Sequence, residues 1–342
     1  MQEREGILMA AKKDRKAFVF LLLLIGFVLA FAASLVFGQT PVTVEQAVHS
    51  FLSYDKNSTE HIVVRSDRLP RAVIASVTGA SLAVAGALMQ ALTKNPLASP
   101  SIFGVNQGAI FTVVIGIVFF SVTSLASLAG LAFLGAAAAA VIVYFLGSLG
   151  RDGLTPVKIV LAGAAISALF QSYTQGILVL DEAGLQDVLF WLAGSVSGRT
   201  LEMLQPVLPF IGSAIVASMF IGKAINLLVT GEDIAKGMGQ HVAALKAFMG
   251  LLVVLLAGSS VAVVGAVGFI GLVIPHAARF FAGNDYRWLL PIAALLGAVL
   301  LVAADVLARL LIMPQEVPIG VMTAMIGGPF FVFIARKGVS GV

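Results

Sequence analysis

The 342-residue chain contains no cysteine, so a disulfide framework and a thiolate metal site are both excluded. Charge is scarce as well: Asp, Glu, Lys and Arg make up 11% of the residues, against ~25% in soluble domains. No Gly-x-x-x-x-Gly-Lys-Ser/Thr phosphate loop occurs, and Gly222-Lys223 lacks both the partner glycine and the following hydroxyl. Neither HExxH nor GxSxG is present, and His49, His61, His241 and His276 fall in separate loops or segment ends. These absences argue against an intramembrane enzyme, and any nucleotide that drives this chain must be bound elsewhere.

What fills the sequence is apolar: 59% of residues are hydrophobic and the mean hydropathy is +1.04. Long runs rich in Ala, Gly, Leu and Val are too continuous for the alternating ~10-residue strands of an outer-membrane barrel. Helices must therefore do the spanning, because only helices and closed barrels satisfy their backbone groups in lipid. The net charge of +4 is spread over short loops, which fits membrane topology and not nucleic-acid binding.

Uncharged runs convert to spans at ~20 helical residues each. Ala17–Val44 and Ala72–Thr93 give two. The 56 residues of Asn95–Gly150 give two more, with a tight turn near Ser121–Ser124, and Ile159–Leu180 and Met203–Gly222 follow. Ala247–Ala278 reads as a full helix and a short one, broken at Pro275, and Trp288–Ala304 and Val317–Ala335 complete ten spans. The expected fold is all-α and polytopic. Residues 1–16 form a cytoplasmic segment, residues 17–338 a single membrane domain, and residues 226–241 or so a polar loop.

With the N-terminus inside, fifteen Lys and Arg residues fall on inner segments, among them Lys94, Arg151, Lys223, Lys246 and Arg287, and six fall outside: Lys56, Arg65, Arg68, Arg71, Arg199 and Arg309. That bias predicts that both termini are cytoplasmic. A small-residue stretch, Ala30-Phe-Ala32, resembles a signal-peptide cleavage site. The uncleaved reading is preferred because it keeps an even span count.

Sliding the chain by 179 positions aligns Gly79, Ser81, Ala83, Val84, Gly86, Ala87, Pro96, Ala98 and Gly104 with Gly258, Ser260, Ala262, Val263, Gly265, Ala266, Pro275, Ala277 and Gly283. The second span runs inward and the seventh outward, so the expected repeat is inverted, as in transporters that alternate access. An ion-gradient carrier would fit such a repeat too. Carriers of that kind need ionisable groups near the midplane, and three of the runs offer none.

Two arginines, in Arg68-Leu-Pro-Arg71, open the second span on the side where basic residues are rare, which points to an acidic partner outside. On the inner side, Thr230 to His241 opens on the carboxylate pair Glu232 and Asp233, suited to a helix N-terminus, with Gly237 or Gly239 suited to its end. A plain amphipathic connector would read similarly.

Six blocks stand in order along the chain: Arg68–Arg71, Gly86-Ala-Leu-Met-Gln90, Asn95-Pro-Leu-Ala98, Gly268–Arg279, Ala304-Asp-Val-Leu-Ala-Arg309 and Glu316–Pro329. Together with the polar loop they resemble the permease subunits of type II ABC importers for iron-siderophores, haem and cobalamin, over about residues 60 to 338. Met238 stands where that family usually has Leu, and Gly328 where it often has Ala.

The resemblance implies that Gly231, Glu232, Ala235, Met238 and Gly239 belong to a cytoplasmic coupling helix that meets an ATPase. It implies that Arg68, Arg71 and Arg309 receive glutamates of an extracytoplasmic substrate-binding protein. Local pairs compete with that role: Arg309 with Asp305 four residues away, and Arg68 with Asp67. His276 is expected to pack or hydrogen-bond, not to ligate. The implied assembly holds a second permease subunit, identical or paralogous, two ATPases carrying ATP and Mg, and the binding protein, in a bacterial cytoplasmic membrane. No cofactor, metal or nucleic acid is expected on this chain.

Overall fold

The structure, a computed structural model, describes residues 2–149, 155–180, 188 and 191–337. Arg151, counted above toward the orientation, lies outside them. The described residues are predominantly helical. In chain order the α-helices among them are α1 (Gln2–Val36), α2 (Val44–Leu52), α3 (Thr59–Val63), α4 (Leu69–Thr93), α5 (Val105–Phe120), α6 (Leu125–Ser148), α7 (Pro156–Leu180) and α8 (Leu201–Leu204). There follow α9 (Leu208–Phe220), α10 (Gly222–Thr230), α11 (Glu232–Gly237), α12 (Val242–Val264), α13 (Ile270–Ala282), α14 (Tyr286–Leu310) and α15 (Ile319–Lys337).

Among the described residues six segments are long and apolar enough to cross a bilayer: Arg15–Val36, Thr59–Thr93, Leu125–Ser148, Val157–Leu180, Val242–Val264 and Tyr286–Leu310. α9 and α10 make a seventh if taken together, with a 57° bend between them. Val105–Phe120, Ile270–Ala282 and Ile319–Phe333 are apolar but shorter. Every one of the ten expected spans thus has a helical counterpart, and three are too short to cross alone. At 1.5 Å per residue the 13 residues of α13 reach only ~20 Å of a ~30 Å hydrocarbon core.

α4 is the centre of the bundle. Its most apolar window is 83% buried, whereas that of α1 is 6% buried and faces the surroundings. Small residues allow the close approach. A Cβ added to Gly79 would lie 2.2 Å from the carbonyl oxygen of Gly297 on α14, and one added to Gly86 would lie 1.9 Å from that of Gly271 on α13. The Gly271 carbonyl is the one that Pro275, lacking an N–H, cannot engage four residues on. Gly86 gives that oxygen room.

The expected break at Pro275 is displaced. α12 ends at Val264, with Gly265 at φ +76, and Pro275 lies inside α13. The left-handed conformation is open to a glycine at no steric cost, so the chain turns at Gly265, while the proline is accommodated by the glycine contact opposite it. The same shift affects the 179-residue alignment: Gly86 lies inside α4 and its counterpart Gly265 terminates α12, while Pro96 lies in a loop and Pro275 in a helix. The tight turn near Ser121 is present, with Ser121 at φ +50 and the Val122 amide donating to the Gly116 carbonyl at 2.9 Å.

Candidate functional site

The two ends of α4 carry the polar chemistry of the molecule. At its N-terminal end, Arg71 donates to Asp305 on α14 at 2.8 Å and to Glu316, ahead of α15, at 2.9 Å. Arg309, one turn beyond Asp305, donates to the other oxygen of that carboxylate at 2.6 Å. Asp67 adds a longer contact to Arg71, at 3.9 Å. Burial alone would raise the pKa of Glu316, but the hydrogen bond and charge of Arg71 outweigh it and hold the carboxyl below its ordinary value.

Arg68 and Arg309 also solve a problem that α1 cannot solve for itself. The last carbonyls of a helix have no intrahelical donor, and α1 has no basic residue in its final turn. Arg68 Nη1 donates to the carbonyls of Leu35 and Val36 at 2.9 and 2.6 Å, and its Nη2 to that of Thr40. Arg309 Nη1 reaches the carbonyls of Ser34 and Phe37 at 3.2 and 3.3 Å, and its Nη2 the Ser34 hydroxyl at 2.7 Å. Cations at a helix C-terminus are favoured by its dipole as well. Gly38 permits the approach, since a Cβ there would lie 2.9 Å from Arg68 Nη2.

The three arginines expected to receive a binding protein are therefore 1%, 3% and 2% exposed, for Arg68, Arg71 and Arg309. Their guanidiniums are engaged inside the chain. The local pair weighed for Arg309 is present, whereas Asp67 contacts Arg71 in place of Arg68. Arg199 sits apart: it stacks on Trp191 at 4.8 Å, and burial pushes its pKa down to about 10.

The opposite end of α4 carries Lys94, a non-glycine cap at φ +50. Its ammonium lies 3.4 Å from Glu232 Oε1, the first residue of α11, and Lys246 on α12 donates to the same oxygen at 2.8 Å. The Lys246 hydrogen bond is the main reason that the Glu232 pKa lies below the ordinary carboxylate value, against an opposing push from burial and with help from Lys94. α11 is bracketed by Gly231 at φ +148 and Gly239 at φ +82, so the helix opens at the expected carboxylate, and of the two glycines proposed for its end Gly239 takes the left-handed turn. Ala235 is fully buried against the bundle, while Ile234 and Met238 are 57% and 71% exposed. Gln240 fastens the far side by donating to the Ala224 carbonyl at 2.9 Å.

Nearby, Asp285 caps α14 and accepts from Asn226 Nδ2 at 2.7 Å and from Arg287 Nη2 at 2.8 Å. Gln90 on α4 accepts from Arg279 Nη1 at 2.7 Å, and His276 Nδ1 lies 3.0 Å from the Leu272 carbonyl, which fits the packing and hydrogen-bonding role expected for it. Among the described residues no group of three or more His, Cys, Asp or Glu is placed to hold a metal ion.

A tightly packed apolar bundle, with ionic clusters at its two ends and a short helix that presents apolar side chains, defines a polytopic helical membrane protein. The chain belongs to the FecCD transport family, whose model matches residues 22–337. It is 55% identical over 331 residues to a Bacillus subtilis (strain 168) protein named "Probable siderophore transport system permease protein YfiZ", covering 96% of this chain and 99% of that one. It is 41% identical over 327 residues to the Fe(3+)-citrate import system permease protein YfmD of the same strain, covering 96% and 97%. Among solved structures it resembles an inward-facing conformation described as a metal-chelate type ABC transporter, with TM-score 0.82 and 28% identity over 94% of this chain and 99% of that one. The family resemblance seen in the ordered motifs is borne out.

Proposed function

We propose that this chain is the permease subunit of an ATP-driven importer that carries a ferric siderophore or related iron chelate into the cytoplasm. The family and the cargo named for its relatives support the substrate class. The observation that carries the mechanism is α11: it holds to the bundle by Glu232 and Ala235 and turns Ile234 and Met238 outward, as a helix that plugs into another subunit must. In this reading two ATPases, which bind ATP and Mg, push on α11 from the cytoplasm. A second permease copy or paralogue lines the path, and a binding protein delivers the chelate at the arginine end. The chain crosses the cytoplasmic membrane with both termini inside.

Docking of that protein on Arg68, Arg71 and Arg309 would require its carboxylates to compete with Asp305, Glu316 and the α1 carbonyls. Uptake of labelled ferric citrate and ferric hydroxamates by proteoliposomes of the full complex tests the reading. ATP-dependent uptake that survives dissipation of ion gradients is expected. Uptake that needs no ATP and collapses with an ionophore would assign the chain to gradient-driven carriers.

A further inference from the structure

We infer that Lys94 is a positioning residue for transport: through Glu232 it ties the α11 helix to α4, and α4 is the rod that carries α11 movement to the arginine end. The inference rests on the importer reading above and adds the path by which one end of the molecule informs the other.

Glu232 Oε1 is shared by Lys94 and Lys246, so a single carboxylate joins α11 to two long helices at once. The left-handed backbone at Lys94, unfavourable for a side-chain-bearing residue, turns the chain at the end of α4 next to α11. Beyond Lys94, α4 has little freedom to move independently of its neighbours. Glycine contacts lock it to α13 and α14, and at its far end Arg71 is paired to Asp305 on the same α14. Packed helices shift as bodies and do not deform continuously, so a force on α11 passes along α4. Gly231 and Gly239, at either end of α11, supply backbone freedom on the other side of the bridge. Without Lys94, Glu232 keeps only its tie to Lys246 on α12 and the direct link from α11 to α4 is lost, so α11 could follow the ATPase on those glycines further than α4 does.

The chain has no cysteine, so labels can be placed at will. Spin labels at Ile62→Cys, just ahead of α4, and Phe120→Cys, at the end of α5, report on the arginine end; both residues are exposed. Their separation would be measured in the complete reconstituted complex, without nucleotide and with ATP, Mg and vanadate. In the otherwise wild-type complex a nucleotide-dependent change is expected. In Lys94→Met the fraction of molecules making it should fall at least about fivefold, the lower end of typical coupling between sites, while ATP hydrolysis continues. Lys94→Arg should restore it. Lys94→Gly, which removes the backbone strain together with the charge, should fail as Lys94→Met does. A role confined to folding would lower yield and melting temperature and leave the change intact in the molecules that assemble. Full wild-type change in Lys94→Met would overturn the inference and leave the importer reading standing; no nucleotide-dependent change and no ATP hydrolysis in the parent complex would overturn both.

Discussion

Arg309 on α14 donates to the hydroxyl of Ser34 on α1 at 2.7 Å, and the same nitrogen donates to Asp305 at 2.6 Å. One guanidinium therefore closes a helix from the far end of the sequence and holds the carboxylate that Arg71 shares. Three arginines, Arg68, Arg71 and Arg309, gather here with three acids, the buried Asp305 and the half-buried Asp67 and Glu316. Removing a partner of the buried Asp305 leaves an uncompensated charge.

Arg309→Ala should destabilise the detergent-solubilised protein by about 3–5 kcal/mol, the usual result of breaking a buried pair, whereas Ser34→Ala should cost only about 1 kcal/mol for one hydrogen bond. Thermal unfolding followed by circular dichroism would measure both. If Arg309→Ala melts as wild type and merely releases a binding protein, the side chain serves docking and not the fold.

Glu232→Lys places a third ammonium beside Lys94 and Lys246 and inverts the charge at the α11 N-terminus, which a helix dipole disfavours. Membrane insertion should be normal and chelate uptake abolished. The check is uptake and ATPase activity of the purified complex with binding protein present. Wild-type rates of both would remove α11 from the coupling path.

Gly86→Val should separate α4 from α13, because even a Cβ at this position would lie 1.9 Å from the Gly271 oxygen, a backbone atom that cannot swing away. Overpacking of this kind costs about 1–3 kcal/mol or more. Thermal melting would show it, together with a failure to transport. A variant that melts and transports normally would mean that the α4 contact is loose.

Much of this was legible beforehand for definite reasons. Apolar runs located the long helices of the described residues because lipid leaves the backbone no other choice. Glu232 and its flanking glycines announced α11 through local capping chemistry. The pairings were not legible: nothing in Lys94, Glu232 and Lys246 marks them as neighbours, since their contacts depend on three helices arriving at one point. The internal partners of Arg68 and Arg309 were not legible for a related reason. A span-end arginine invites an outside partner, and α1, whose carbonyls they satisfy, lies far away in sequence. Pro275 suggested a break that the glycine contact with α4 made unnecessary.

Asp285 offers a test with a definite sign. Its carboxyl is held at about 2, chiefly by the Arg287 hydrogen bond with help from Asn226, against the opposing effect of burial. A carboxyl whose folded pKa is depressed contributes stability that is fully present above its unfolded value of about 3.9 and is lost as pH falls through the folded one. Asp285→Asn should therefore melt below wild type at pH 7, with the gap constant down to about pH 5. Below about pH 4 the wild type alone should lose this contribution, so the two melting curves should converge towards pH 2. Differences between the two proteins are the quantity to follow, because other carboxylates titrate over the same range in both. A gap that stays constant from pH 7 to pH 2 would mean that the asparagine costs stability through shape at the α14 cap, and that the charge on Asp285 contributes nothing.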